Sequence, residues 1–128
     1  MPDPQTQRQA VESYIRAYNE FDIDGMLRDL HPAVVFKNIS NGETNLTLEG
    51  IDAFRKQAEQ AAKLFDSREQ TVTDLRINGP VVTVAIDYRA VPAADLPNRL
   101  KKGDVLELKG QSVFHFEGER IVEIRDVS

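Results

Sequence analysis

The stretch "VESYIRAYNEFDIDGMLRDLHPAVVF", residues 11–36, contains two helix patterns followed by a strand pattern. Four large apolar residues recur at i, i+3, i+4 and i+7, the spacing that places side chains on one face of a helix. They are Val11, Tyr14, Ile15 and Tyr18. The same spacing runs from Ile23 to Leu30 and predicts a second helix. Pro32 then ends it, because proline lacks an amide hydrogen and clashes with the preceding turn.

Beyond this stretch the pattern predicts one more helix and a series of strands. Strands over 33–39 and 44–49 flank Asn41-Gly42, a pair typical of hairpin turns. A third helix begins near Gly50, with an apolar stripe that extends to Phe65. Alternation with a period of two then predicts strands over 70–78, 81–91, 104–116 and 120–127. The connection of residues 92–103 is long for a hairpin. Long loops often carry function, and a flexible excursion without function is the equal alternative.

Three N-terminal helices, with a hairpin before the third, followed by a run of antiparallel strands are typical of an α+β fold, with helices packed on one face of a curved, mostly antiparallel sheet. The length of 128 residues predicts a single domain over residues 1–128. A sheet that wraps around helices forms a cone. Where side chains do not fill the cone, we expect a pocket for a small molecule.

Composition excludes several classes of partner. The net charge of −5 and the pI near 5.0 argue against a nucleic-acid or anionic-membrane partner, because both need a basic surface. No apolar run approaches the roughly 20 residues of a membrane span. The start of the sequence lacks a signal-peptide pattern, so we expect a cytoplasmic protein. Without cysteine, and with His31 and His115 far apart, we expect neither a metal site nor a cofactor.

Strand alternation turns several polar side chains toward the predicted core. Asn38 shares a face with Val34 and Phe36, Ser112 with Phe114, and Asp126 continues an apolar stripe of the last strand. A buried carboxamide needs a partner, and burial raises the pKa of a carboxyl group. Each has a simpler explanation as well: Asn38 could satisfy a backbone group near the hairpin, and Asp126 is close to the last residue, where carboxylates are often solvated.

Tyr14 is a phenol on the apolar stripe of the first helix, and it needs a hydrogen-bond partner if it is buried. Its simpler interpretation is a core aromatic residue with its hydroxyl at the rim. We take Tyr14, Asn38 and Asp126 as the candidate catalytic residues, because all three are predicted to face the cone. The candidate substrate-binding residues share the same inward direction. They are Phe36, Phe54, Tyr88, Ser112 and Phe114.

Residues 11–36, "LEGIDAFRKQ" at 48–57 and the closing "FHFEGERIVEIRDVS" resemble the nuclear-transport-factor-2-like superfamily, which includes ketosteroid isomerases and SnoaL-like polyketide cyclases. The resemblance covers nearly the whole chain. It implies that Tyr14 matches the oxyanion tyrosine of the isomerases, that their base position falls on Asn38, and that their protonated aspartate falls at about Ser112. In the cyclase-like branch the acid/base aspartate of the last strand matches Asp126.

An amide has no basic lone pair near neutral pH, so steroid isomerisation with a base at Asn38 is not expected. Three interpretations remain open. The first is a cofactor-independent isomerase, cyclase or hydrolase with Asp126 as general acid or base. The second is a non-catalytic module that binds a small apolar molecule. The third is a protein-association module that uses the outer sheet face, and a homodimer is expected under all three. The apolar residues predicted on that face are Val81, Ala85, Val113, Ile121 and Val127.

Overall fold

The computed structural model describes residues 3–95 and 101–128. Residues 96–100 of the long connection therefore lie outside the described residues. The elements along the chain are α1 (Pro4–Asn19), α2 (Ile23–Leu27), β1 (Leu30–Ser40), β2 (Glu43–Glu49), α3 (Ile51–Ala62), β3 (Phe65–Asn78), β4 (Val81–Pro92), β5 (Leu106–Glu117) and β6 (Arg120–Val127).

The strands form one six-stranded sheet in the order β2-β1-β6-β5-β4-β3. β1 pairs with β6 in parallel, and the remaining neighbours pair antiparallel. The expected α+β class with a curved, mostly antiparallel sheet is thus confirmed. The parallel pair joins the first strand to the last, so β6 lies between β1 and β5 rather than at an edge.

The expected detail of three N-terminal helices is not matched in full. The described residues contain three helices, and α3 follows the β1–β2 hairpin as the sequence pattern predicts, but α2 is much shorter than expected. α2 has five residues and ends at Leu27, because Leu30 is already part of β1, where it pairs with Ile121 and is 1% exposed. A single apolar repeat does not distinguish a helix from the start of a buried strand, which explains the longer helix predicted from sequence.

Capping fixes where α1 begins. Asp3 is its N-cap and accepts a hydrogen bond from the Gln5 amide at 3.2 Å, and Pro4 occupies the first turn, where no amide hydrogen is needed. The helix buries Val11, Tyr14 and other residues of the predicted stripe against the sheet. α1 therefore holds the Tyr14 side chain over the inner sheet face.

The core lies between the helices and the inner sheet face, and several of its side chains are fully enclosed. They include Val11, Leu30, Val34, Val82, Val84, Phe114, Ile121 and Ile124. Ile121 was predicted on the outer face, and that prediction is wrong. A register irregularity between His115 and Phe116 pairs Phe116 with Ile121, so both face the core. No helix in residues 3–95 and 101–128 is long and apolar enough to cross a membrane.

Candidate functional site

Three polar residues lie side by side across the middle of the sheet. Asp126 of β6 is the register partner of Asn38 on the parallel strand β1 and of Ser112 on the antiparallel strand β5. In the adjacent inward row, Ile124 lies between Phe36 and Phe114. Two residues further along each strand, the inner face therefore changes from apolar to polar. The polar row places a carboxyl group between an amide and a hydroxyl.

Asp126 is partly buried, and its carboxyl group has one side-chain hydrogen-bond partner among the described residues. Its Oδ1 accepts a hydrogen bond from the Ser112 hydroxyl at 2.6 Å. Burial raises the pKa of Asp126 from 3.8 to about 6, and the Ser112 hydrogen bond partly offsets that increase by favouring the carboxylate. The end of β6 is also fixed to β1, because the Ser128 amide donates to the Ile39 carbonyl at 2.9 Å. Asp126 is thus not a frayed terminal carboxylate.

Asn38 has a side-chain partner that the sequence pattern did not identify. Its Nδ2 donates to Oδ1 of Asn45 on β2 at 2.8 Å, and the residue is only partly buried. This hydrogen bond fixes the orientation of the Asn38 amide beside Asp126. The amide keeps an acceptor oxygen and a second N–H for other partners.

Tyr14 is buried, with 7% of its surface exposed. Its ring packs edge-on against Phe114, with ring centroids 5.5 Å apart. Burial raises the pKa of Tyr14 above its ordinary value, and the negative charge of Asp126 raises it further. Among the hydrogen bonds of residues 3–95 and 101–128, none involves the Tyr14 hydroxyl, so this protonated phenol is available to a ligand as a donor.

Two cavities meet at this polar row. The helix-side cavity, about 190 Å³, lies between the helices and β1, β2 and β6. The strand-side cavity, about 210 Å³, lies over β4, β5 and the end of β6. Asn38, Asp126 and Tyr18 line both cavities, whereas Tyr14 lines the helix-side cavity only. The structure therefore brings all three candidate catalytic residues to the wall of one cavity.

The candidate substrate-binding residues divide between these spaces. Phe36 and Phe54 line the helix-side cavity, and Ser112 and Tyr88 line the strand-side cavity. Phe114 lines neither cavity. It is 0% exposed and packs against the ring of Tyr14. The expected contact between Phe114 and a ligand is therefore wrong, and the residue packs in the core.

Sequence reasoning missed two residues of the site. Tyr18 lies one turn after Tyr14, and its hydroxyl donates to the Tyr88 hydroxyl at 3.0 Å. Arg68 is 4% exposed and lines the helix-side cavity. β3 was predicted to begin at residue 70, but it begins at Phe65, which places Arg68 on the same inner face as Gln70 and Val72. Continuing the alternation backwards from Val72 would have identified Arg68.

These groups can move a proton at carbon or oxygen. A carboxyl group with a pKa near neutrality works as a general acid or base, and a buried phenol can donate to an oxyanion that develops on the substrate. In the described parts of the chain, no group of three or more histidine, aspartate or glutamate side chains is arranged to hold a metal ion.

Comparison with known proteins gives one family and many similar folds. The SnoaL-like domain family matches residues 11–124, and no curated protein sequence matches the chain. TsrD from Streptomyces laurentii superposes with a TM-score of 0.81 and 18% identity, over 98% of this chain and 90% of that one. An epoxide hydrolase of M. tuberculosis, described as LEH-like, gives 0.78 and 17%, over 98% and 84%.

TerC, co-crystallised with polyporic acid, gives a TM-score of 0.75 and 15% identity, over 94% of this chain and 89% of TerC. At these identities the likeness establishes a shared fold.

Proposed function

The chain belongs to the SnoaL-like domain family of the nuclear-transport-factor-2-like superfamily, and we propose that it is a cofactor-independent enzyme whose general acid or base is Asp126. The substrate is a small molecule with an apolar body that occupies the helix-side cavity. The reaction class is proton transfer at a carbon next to a carbonyl group, as in isomerisation or cyclisation. Opening of an epoxide by activated water uses the same groups.

The observation that carries this proposal is the partly buried carboxyl group of Asp126 at the wall of both cavities, which is hydrogen-bonded to Ser112 at 2.6 Å and has a pKa raised to about 6. A base with this pKa is ionised at neutral pH yet still holds a proton well enough to return it. Asp126 removes a proton from the substrate carbon, and negative charge develops on the carbonyl oxygen. Tyr14 and Asn38 donate hydrogen bonds to that oxygen, and Asp126 then returns the proton to the product.

Deuterium uptake into 2-tetralone tests this step without knowledge of the natural substrate. In D2O, exchange of its acidic carbon-bound protons is followed by proton NMR with the wild-type protein and with Asp126→Asn. We expect the wild-type protein to accelerate exchange, and we expect Asp126→Asn to lose about 10²- to 10⁴-fold, the range that a general base contributes. The asparagine keeps the size of the side chain but cannot accept the proton.

Asp87→Asn is the matched control, because Asp87 is an exposed carboxylate on β4 and the substitution changes the charge equally. We expect this variant to exchange 2-tetralone at the wild-type rate. Equal rates for wild type and Asp126→Asn, or no acceleration by the wild-type protein over buffer, would refute the assignment.

A binding function without catalysis is the second candidate. Asn38 favours it, because an amide fixed by Asn45 replaces the carboxylate base of the isomerases to which the sequence is similar. In that case the protein binds an apolar ligand with an affinity that does not follow the ionisation of Asp126. Calorimetric titration with 2-tetralone above and below about pH 6 tests this function. Saturable binding with the same affinity at both pH values, together with no acceleration of proton exchange, would identify the binding module.

A homodimer formed through the outer sheet face is also part of this proposal. Val81, Ala85, Val113 and Val127 are half-buried there in the single chain, which leaves apolar surface for a second copy. We expect light scattering to give twice the chain mass and Val113→Glu to give a single chain mass. A wild-type protein with the mass of one chain would exclude the dimer.

A cytoplasmic location is also proposed, and fractionation of the source cells tests it.

A further inference from the structure

Arg68 is a buried cation at the wall of the helix-side cavity. It lies on β3 opposite Ala90 of β4 and is 4% exposed. Arginine is almost never fully buried in a protein unless its charge is paired, because removing the charge from water costs free energy. Each buried nitrogen of its guanidinium group is therefore expected to have a hydrogen-bond or charge partner.

The protein satisfies only part of that group. Nε donates to the Tyr18 carbonyl at 2.9 Å, at the C-terminal end of α1. The guanidinium carbon lies 3.8 Å from the centre of the Tyr18 ring and 4.5 Å from that of Phe21. Nη2 is buried and has no hydrogen-bond partner, and Arg68 takes part in none of the ion pairs formed by the described residues.

The surroundings of Arg68 define what could complete its contacts. Arg68 and Asp126 are the one cation and the one acid among the described residues that line the helix-side cavity. Most of the other lining side chains are apolar, among them Phe36, Leu48 and Phe54. An anionic oxygen beside Arg68 would supply the missing acceptor, and the planar guanidinium group suits a carboxylate or an enolate.

We propose that Arg68 anchors an anionic oxygen of the molecule that occupies the helix-side cavity, so the ligands of this protein are organic acids with an apolar body. This inference rests on the proposed function for the location of the ligand and adds its chemical class. The apolar body lies against the aromatic and leucine side chains. The acid group pairs with Arg68, which leaves the reactive carbon to face Asp126.

Matched probe ligands test the charge preference directly. 2-Naphthoate and 2-naphthamide have the same ring system, but only the carboxylate carries a negative charge. We expect titration calorimetry to show that the wild-type protein binds 2-naphthoate about tenfold or more tightly than 2-naphthamide, the size of a charge-assisted contact. We expect Arg68→Met to abolish the preference and Arg68→Lys to retain part of it, because lysine keeps the charge but not the planar donor pair.

Arg76→Met is the matched control. Arg76 is on the same strand, but its side chain is 83% exposed and pairs with Asp74. We expect this variant to keep the wild-type ratio of the two dissociation constants. If Arg68→Met does not fold by circular dichroism, the wild-type ratio and the Arg68→Lys ratio decide the question.

Four results would overturn the proposal. Two concern the wild-type protein: absence of 2-naphthoate binding, and equal affinity for the two probes. Two concern the variants: a preference that survives in folded Arg68→Met, and a preference that is undiminished in Arg68→Lys. A merely structural Arg68 would lower the melting temperature when replaced and leave the ratio unchanged. The two measurements on the wild-type protein separate this proposal from the proposed function. Acceleration of 2-tetralone exchange with equal affinity for the two probes would overturn this proposal alone, whereas a preference for 2-naphthoate without proton exchange would refute the proposed function alone.

Discussion

Two opposing influences determine the pKa of the single residue Asp126. Burial disfavours its charged form, whereas the Ser112 hydroxyl stabilises that form, and burial has the larger effect because the pKa is raised to about 6. The inward direction of Asp126, Asn38 and Ser112 follows from strand alternation and is predictable from sequence. The Asn38–Asn45 hydrogen bond is not, because it depends on a register irregularity of the hairpin, where Asn38 pairs with Leu46 and Ile39 with Thr44, so that Asn45 has no partner in the register.

The raised pKa of Asp126 predicts a pH-dependent effect of Asp126→Asn on stability. The folded state binds the proton more tightly than the unfolded chain, in which the pKa is near its ordinary value, so this carboxyl group lowers stability as the pH rises from about 4 to above 6. The asparagine variant avoids that cost. We expect it to gain on the order of 1 to 3 kcal/mol over wild type near pH 8, with little gain near pH 4.

Urea unfolding at the two pH values measures this difference, with Asp87→Asn as the control for loss of an exposed charge. Equal changes in the free energy of unfolding for Asp126→Asn at both pH values would show that Asp126 titrates normally.

The register of β5 and β6 shapes the site at the scale of the elements. Gly110 of β5 lines the strand-side cavity, and a Cβ atom placed there would lie 2.6 Å from the Val127 carbonyl oxygen. This contact is shorter than normal van der Waals separation. The end of β6, which carries Asp126, can therefore approach β5 only because residue 110 lacks a side chain.

We expect Gly110→Ala to lower the free energy of unfolding by about 1 to 3 kcal/mol, as overpacking of a close contact does. Thermal or urea unfolding measures the loss. Gln111→Ala is the control, because Gln111 is the exposed neighbour on the same strand. A Gly110→Ala variant as stable as wild type would mean that the two strands separate without cost at this point.

The limits of sequence reasoning are also clearest at the element scale. Strand alternation predicts faces correctly while a register continues, but irregular positions change the parity. The irregularity between His115 and Phe116 turned Ile121 inward, against the prediction. An early start of β3 brought Arg68 into the sheet. Both depend on pairing with distant strands, which a local pattern does not contain.

In the molecule as a whole, the order of the strands in the sheet brings the residues of the site together. Because β6 lies between β1 and β5, residue 38 meets residues 112 and 126 although it is far from both in sequence. The helices cover the same face and contribute Tyr14 and Tyr18. The α+β class and the curved sheet followed from the order of the elements and the family resemblance. The lining of the two cavities and the buried charge at Arg68 depend on three-dimensional packing and could not be predicted.

The pH dependence of 2-tetralone exchange tests most directly whether Asp126 is the base. After subtraction of the buffer rate, we expect the wild-type rate to rise with pH, with a midpoint near 6, as Asp126 ionises. In Ser112→Ala the midpoint should move to higher pH, because the hydrogen bond that favours the carboxylate is lost. A protein-dependent rate that stays constant between about pH 4 and pH 8 would contradict the assignment of Asp126 as the base.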